Sequence, residues 1–91
     1  MDNLEVMIKC EKDPGWSGSE FISAIILYAI RSFWGQVGAS QLQYEITQVN
    51  EDTNYAKLEV SHEDKQRVWA ALTMLGSFQN IRCRLYVRET M

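Results

Sequence analysis

The side chains best suited to catalysis in this sequence are few and scattered. His62 is the only histidine, and it falls in the first turn of a predicted helix. There we favour a surface or capping role over general acid–base catalysis. No Ser/His/Asp or Cys/His arrangement and no spaced pair of carboxylates can be assembled from the sequence. We therefore predict no catalytic residue.

Metal, cofactor and phosphate sites are equally poorly supported. Cys10 and Cys83 have no metal-binding spacing, and the other potential ligands lack it too. Because the N-terminus resembles no secretory signal, both cysteines are expected to be reduced, buried thiols. There is no GxGxxG motif and no P-loop, and Gly35 and Gly38 alone are a weak signal for phosphate binding. We expect no metal and no cofactor.

A cluster of arginines near the C-terminus offers binding chemistry. Arg82, Arg84 and Arg88 share one face of an alternating segment with Tyr86. They could contact RNA phosphates or an acidic partner, or they could form ion pairs across a sheet with Glu5 and its neighbours. The whole chain has a net charge of −3 and a pI of about 5.0. Proteins that bind nucleic acid by themselves usually carry a strongly basic surface, which the overall charge of this chain does not indicate. The local arginine cluster still allows either alternative.

Alternation of apolar and polar residues predicts four strands, over 4–12, 41–49, 55–61 and 81–88. The second and third strands flank a polar turn and are typical of a hairpin. The residues expected to face the core are Leu4, Val6, Ile8, Cys10, Leu42, Tyr44, Ile46, Ala56, Leu58, Val60, Ile81, Cys83, Leu85 and Val87.

Two helices connect the strands. A capping box from Ser17 to Glu20 begins a helix over 18–34, which Gly35 and Gly38 are expected to end in a loop. A second cap signal at Ser61 begins a helix over 62–75. The predicted buried stripes are Ile22, Ile25, Ile26, Ala29 and Phe33 in the first helix, and Val68, Ala71, Leu72 and Leu75 in the second.

This order predicts an α+β fold, a ferredoxin-like (RRM-like) βαββαβ sandwich in a single domain over 1–91. A four-stranded antiparallel sheet would carry both helices on one face and leave the other face open. RRM domains stack bases on aromatic residues of their two central strands. Among the corresponding positions here only Tyr55 could stack a base; they are Glu5, Met7, Lys9, Tyr55, Lys57 and Glu59.

The helices have more large apolar side chains than one sheet can cover. The surplus is Phe21, Leu27, Tyr28, Trp34 and Trp69. Part of this set could belong to the core, but we favour an interface with a protein partner, because Trp and Tyr are common interface anchors. The longest apolar run, 24–30, stops at Arg31 and is shorter than the roughly 20 residues that span a bilayer, so no membrane is expected.

Three segments resemble the small RRM-like subunits of ribonuclease P and ribonuclease MRP. VWAALTMLGSFQNIRCRLYV resembles the family's second helix, Gly-Ser turn and last strand. The matching residues are Trp69, Leu72, Thr73, Leu75, Gly76, Ser77 and Cys83. IRSFWGQVGAS resembles an aromatic-Gly-x-x-Gly-Ala segment at the end of the first helix, and YAKLEVSHEDKQRVW a strand-to-helix junction. Together the matches cover about residues 20–88.

The resemblance implies a non-catalytic structural subunit of a nuclear ribonucleoprotein, with the nucleolus as the narrower alternative location. Its partners would be a paralogous RRM-like subunit, a TIM-barrel-like subunit and the catalytic RNA, with limited direct RNA contact. The assembly would remove the 5′ leader of precursor tRNA, or process rRNA precursors in the MRP form. Many members continue past the last strand, whereas this sequence stops at RETM.

Two other functions compete with this one. The first is a free-standing ferredoxin-like RNA-binding module, against which the missing RRM aromatic residues argue. The second is an acylphosphatase-like enzyme with the same strand order. Its glycine-rich loop with an arginine is absent, because DPGWSG has no basic residue to hold a phosphate.

Overall fold

The computed structural model describes residues 1–11 and 18–90. The elements, in chain order, are β1 (Asp2–Cys10), α1 (Ser19–Ser40), β2 (Tyr44–Asn50), β3 (Tyr55–Val60), α2 (Lys65–Thr73), β4 (Ser77–Phe78) and β5 (Ile81–Thr90). The sheet has the order β2-β3-β1-β5-β4, and every strand pair is antiparallel. The predicted α+β sandwich is therefore confirmed in outline. The predicted count of four strands is wrong, because β4 adds a fifth at one edge.

The core lies between the helices and the inward face of the sheet. Leu4, Val6 and Ile8 of β1 are buried, as are Ala56, Leu58 and Val60 of β3. On the central strands the period-two alternation therefore predicted burial correctly. The outer strand β2 is less covered, and its inward residues Tyr44, Ile46 and Val49 are only half-buried.

Helix α1 begins at Ser19, with Gly18 at its N-cap; the predicted cap residue Ser17 lies outside the described residues. The stripe Ile22, Ile25, Ile26 and Ala29 is buried as predicted. The placement of Phe33 in that stripe is wrong, because its side chain is exposed and packs edge-to-face on Trp34 with ring centroids 4.9 Å apart. Ile30 is instead the last buried residue before the helix breaks.

The break in α1 is at Gly35, which has a φ of 77° and interrupts the helical backbone. A positive φ of this kind suits glycine, so the sequence correctly marked the end of the first helical segment. The loop predicted after it is wrong, since the helix resumes and continues to Ser40. Ala39 in this second segment is buried, so the segment packs against the core.

By length and composition alone, α1 could cross a membrane, with a mean hydropathy of 1.3 over its most apolar stretch. In this fold the apolar stripe of α1 contacts the sheet instead. A core helix that lies on a sheet has the same composition, so this property alone is weak support for a membrane segment.

The connection between β4 and β5 is a two-residue hairpin turn. Gln79 and Asn80 have φ values of 52° and 65°, the positive pair typical of a type I′ turn. The turn folds Phe78 into the core, where its ring lies 6.1 Å from that of Phe21 and 5.2 Å from that of Tyr28. The sequence had assigned no strand and no core role to Phe78.

Cys10 and Cys83 form a disulfide between β1 and β5. The two residues are directly opposite each other in the register of these strands. The expectation of reduced thiols is therefore wrong for this structure. Sequence separation concealed the pairing, because only the adjacency of the first and last strands brings the two cysteines together.

Candidate functional site

The sheet face opposite the helices carries the arginines. Alternation along β5 places Arg82, Arg84, Tyr86 and Arg88 on this face, and all four are exposed. Strand β1 contributes Glu5, Met7 and Lys9. The register pairs Glu5 with Arg88, Met7 with Tyr86 and Lys9 with Arg84. The three arginines therefore share one exposed face, as predicted, but lie opposite different residues.

One end of the row is neutralised within the protein. Arg88 Nη2 donates a hydrogen bond of 2.7 Å to Glu5 Oε2. This bond raises the pKa of Arg88 above its usual value. Tyr55 lies beside the pair, and its pKa is raised first by burial and then by the charge of Glu5. For Arg88 the structure thus confirms the ion-pair alternative.

The other end of the row is not neutralised. Arg84 is opposite Lys9, and Arg82 is opposite Ser77 of the short edge strand. Among residues 1–11 and 18–90, none of these three cations has an ion-pair partner. Lys9 Nζ lies 5.6 Å from the ring centroid of Tyr86, within the range of a cation–π contact. We call Lys9, Arg82, Arg84 and Tyr86 the basic patch.

The basic patch surrounds a shallow depression that Glu11, Gly76 and the disulfide also line. Tyr86 is 53% exposed, so its ring is available to a ligand. The sequence placed Tyr86 on this face but gave it no role, because RRM domains stack bases on aromatic residues of their two central strands. Its position between Arg84 and Arg88 on the same face was the feature of the sequence that could have indicated a binding role.

The predicted protein interface is only partly a surface. Phe21 is 3% exposed and belongs to the core, so its assignment to the interface is wrong. It packs against Phe78, whose burial the sequence did not indicate. Leu27 and Trp69 are half-buried, whereas Tyr28 and Trp34 are exposed. For these four residues a partner contact stays a prediction.

A groove between α1 and the end of α2 gathers the exposed apolar residues. Tyr28, Phe33, Met74 and Leu75 line it, together with smaller side chains. Met74 is 68% exposed, and Val37 on the second segment of α1 is 74% exposed. We call Tyr28, Phe33, Met74 and Leu75 the helical groove. The sequence missed Phe33, which it assigned to the core, and gave Met74 no role.

Trp34 joins the two helices. Its indole Nε1 donates a hydrogen bond of 2.9 Å to the backbone oxygen of Arg67. A Cβ added to Gly38 would lie 3.3 Å from the Cβ of Trp34, so a larger residue at 38 would crowd this contact. Trp34 therefore has a structural role in addition to its exposed surface.

His62 is exposed, as its predicted surface role requires. Its Nδ1 lies 2.9 Å from Asp2 Oδ2, and Lys65 Nζ lies 3.2 Å from the same oxygen and 3.0 Å from Glu89 Oε2. The hydrogen bonds of His62 and then Lys65 lower the pKa of Asp2. This network ties the start of β1 to α2 and to the end of β5.

Asp64 is a buried acid that caps no helix with its side chain. Its carboxylate accepts hydrogen bonds from the backbone N–H of Gln43, the hydroxyl of Ser61 and the guanidinium of Arg67, each at 3.0 Å. The Gln43 bond is the largest cause of its lowered pKa. Asp64 falls in the first turn of the helix predicted over 62–75, and the sequence gave no sign of this role. In the described part of the chain, no group of three or more His, Cys, Asp or Glu could hold a metal ion.

Comparisons with known proteins show what this chain is similar to. Residues 4–91 match a family model described as the Rpp14/Pop5 family, whose label refers to ribonuclease P. The fold is similar to that of a chain in the cryo-EM structure of yeast Ribonuclease MRP, with a TM-score of 0.75 and 13% sequence identity. That match covers 98% of this chain and 72% of the other. No curated protein sequence gave a significant match.

Proposed function

The chain belongs to the Rpp14/Pop5 family, and from this premise we propose that it is a non-catalytic structural subunit of ribonuclease P or ribonuclease MRP. The observation that carries the proposal is the family match over residues 4–91, nearly the whole chain. The similarity of fold to a chain of yeast Ribonuclease MRP supports it. In this proposal the RNA component of the particle supplies catalysis, and the chain stabilises the assembly.

The helical groove is the surface we assign to protein partners. Tyr28 and Phe33 present aromatic surface beside the flexible side chain of Met74, a combination enriched at protein interfaces. The partners we propose are the paralogous RRM-like subunit and the TIM-barrel-like subunit. Trp34 borders this surface and would be held in place by its bond to Arg67.

The proposed activity of the whole particle is removal of the 5′ leader from precursor tRNA, or processing of rRNA precursors in the MRP form. The location we propose to match that activity is the nucleus, with the nucleolus as the narrower alternative. The acidic net charge of −3 supports a peripheral position, since a polyanion attracts basic proteins most strongly.

Co-purification tests this proposal. A tagged copy of the chain should bring down the RNA of ribonuclease P or MRP together with other protein subunits, measured by RNA sequencing and mass spectrometry. Met74→Asp should sharply reduce recovery of the protein subunits, because it puts a charge in the helical groove. Gln66→Asp is the matched control, since Gln66 is exposed on α2 but does not line the groove.

The proposal is contradicted if the tagged chain recovers neither the ribonuclease P RNA nor the MRP RNA, and none of the other subunits. That result would leave the free-standing RNA-binding module as the better explanation, because such a module needs no partner subunit. The basic patch is the observation that favours this second candidate. Submicromolar binding of single-stranded RNA by the isolated chain, with a steep dependence on salt, would support it.

A further inference from the structure

We propose that the basic patch is a binding site for single-stranded RNA, in which Lys9, Arg82 and Arg84 contact phosphates and Tyr86 stacks on a base. This inference deepens the proposed function and rests on it, since it presumes that the chain works beside RNA. It differs from RRM recognition, because the site lies on β5 and the adjoining end of β1 rather than on the two central strands.

The first argument is the electrostatics of the patch. Lys9 and Arg84 are directly opposite each other on neighbouring strands, an arrangement that destabilises a sheet when nothing neutralises it. The chain has 12 acidic residues, and other cations in the described ranges do find partners, namely Lys65, Arg67 and Arg88. Arg31 on α1 and Lys57 on β3 also have no ion-pair partner in the described ranges. Only in the patch do three such cations lie together, so a polyanion bound there would neutralise all three.

The second argument is geometry. Arg82 and Arg84 are two residues apart on one face, which separates their Cα atoms by about 6.7 Å along the strand. Lys9 adds a third cation on the adjacent strand, so the charges surround the depression rather than forming a line. Guanidinium groups bind phosphate oxygens in a bidentate manner, which makes the two arginines well suited to a nucleic-acid backbone.

Tyr86 favours a single-stranded nucleic acid over an acidic protein, and the proposed function makes RNA the strand. Its half-exposed ring adjoins the cations, and Lys9 already contacts it. Sites for single strands combine a positive surface with an aromatic ring on which a base stacks. An acidic protein segment would need the cations alone. Glu11 is the acid that lines the same depression, and its charge would oppose a phosphate.

Binding of a short fluorescent oligouridylate by the purified full-length chain tests the site. Three phosphate contacts predict a slope of about −2 in log K against log salt, from about −0.7 per contact. Arg84→Gln and Tyr86→Ala should each weaken binding about tenfold, whereas Tyr86→Phe should retain it. Glu11→Gln should strengthen binding. Thermal unfolding of each variant checks that the fold is intact.

Arg88→Gln is the matched control, because it removes the same charge from the same strand at a position already paired with Glu5. It should change affinity no more than about twofold, so an equal loss in Arg84→Gln and Arg88→Gln overturns the proposal. No binding by the wild-type chain at low ionic strength overturns it as well. The proposal is also overturned if polyglutamate binds as tightly as RNA and Tyr86→Ala does not change the affinity. That result would assign the patch to an acidic protein.

Ultraviolet crosslinking in the purified particle separates this inference from the proposed function. If tagged wild type brings down RNA and subunits and crosslinks through Tyr86, and Arg84→Gln loses only the crosslink, both hold. If co-purification succeeds but no crosslink forms near the patch, the proposed function stands and the inference fails. If co-purification fails, the proposed function fails, and the oligouridylate series alone decides whether the patch binds RNA.

Discussion

Lys9 and Arg84 are directly opposite each other on β1 and β5, whereas Glu5 and Arg88 are opposite each other further along the same strand pair. Two arginines of identical alternation phase therefore have different roles. Arg88 is held by a hydrogen bond of 2.7 Å to Glu5, whereas Arg84 has the like charge of Lys9 as its neighbour. The register, rather than the arginine pattern itself, decides which part of the face is available to a ligand.

Lys9→Glu should separate stability from binding. The substitution turns a like-charge pair into an opposite-charge pair with Arg84, so we expect the protein to gain about 0.5 kcal/mol of stability. RNA binding should fall at least tenfold, because the patch loses one cation and gains an anion. Chemical denaturation and fluorescence anisotropy measure the two effects. Stabilisation without loss of binding would show that Lys9 is not part of the site.

Phe78→Ala should destabilise the fold by about 3–5 kcal/mol, the usual cost of removing a buried aromatic ring. The ring contacts those of Phe21 and Tyr28, so its loss leaves a cavity next to the start of α1. Urea unfolding gives the measurement. Phe33→Ala is the control. Phe33 is 44% exposed, so removal of its ring should cost about 1 kcal/mol or less. Equal costs would contradict the burial difference.

The sequence predicted buried residues best in elements that have one face against the core and the other in solvent. The alternation of β1 and β3 identified their core residues, and the positive φ of Gly35 matched a predicted helix end. Phe78 was missed because a two-residue strand is too short to show a period. The disulfide and the split of the arginines depend on which residue lies across a strand pair. A single sequence does not encode that register locally.

Stability should decline at acidic pH because Asp64 and Asp2 have pKa values lowered below 3.8 in the fold. Each contribution is fully present above the unfolded value and is lost as the pH falls through the lower folded value. The Asp64 carboxylate uses one oxygen for Gln43 and Ser61 and the other for Arg67. Asp64→Asn should flatten part of this decline and destabilise the protein at neutral pH, because the amide is uncharged and has only one acceptor oxygen. Denaturation from pH 7 down to about pH 2 measures it.

Glu63→Gln is the control for that pH series. Glu63 is the exposed neighbour of Asp64 and has no side-chain partner among the described residues. Its substitution should leave both neutral-pH stability and the acidic decline nearly unchanged. A decline altered as strongly by Glu63→Gln as by Asp64→Asn would mean that general charge, not the Asp64 hydrogen bonds, controls the acid response.

Reduction of the disulfide should lower stability by about 2–4 kcal/mol, because the bond closes a long loop between the first and last strands. Unfolding with and without reductant measures the difference, and thiol alkylation of the denatured protein reports whether the bond is present. The Cys10→Ser/Cys83→Ser double variant should match the reduced protein. Two free thiols in the untreated protein would contradict the pairing.

Trp34 needs a graded substitution, because it both bonds to Arg67 and borders the helical groove. Trp34→Phe removes the hydrogen bond to the Arg67 oxygen but keeps an aromatic ring, so it should cost about 1 kcal/mol of stability and preserve co-purification of partner subunits. Trp34→Ala should lower both, since it removes the ring as well. Met74→Asp should lose the subunits with little change in stability, because Met74 is already exposed. If Trp34→Phe abolishes assembly while Met74→Asp retains it, partners contact the junction of α1 with α2 rather than the groove.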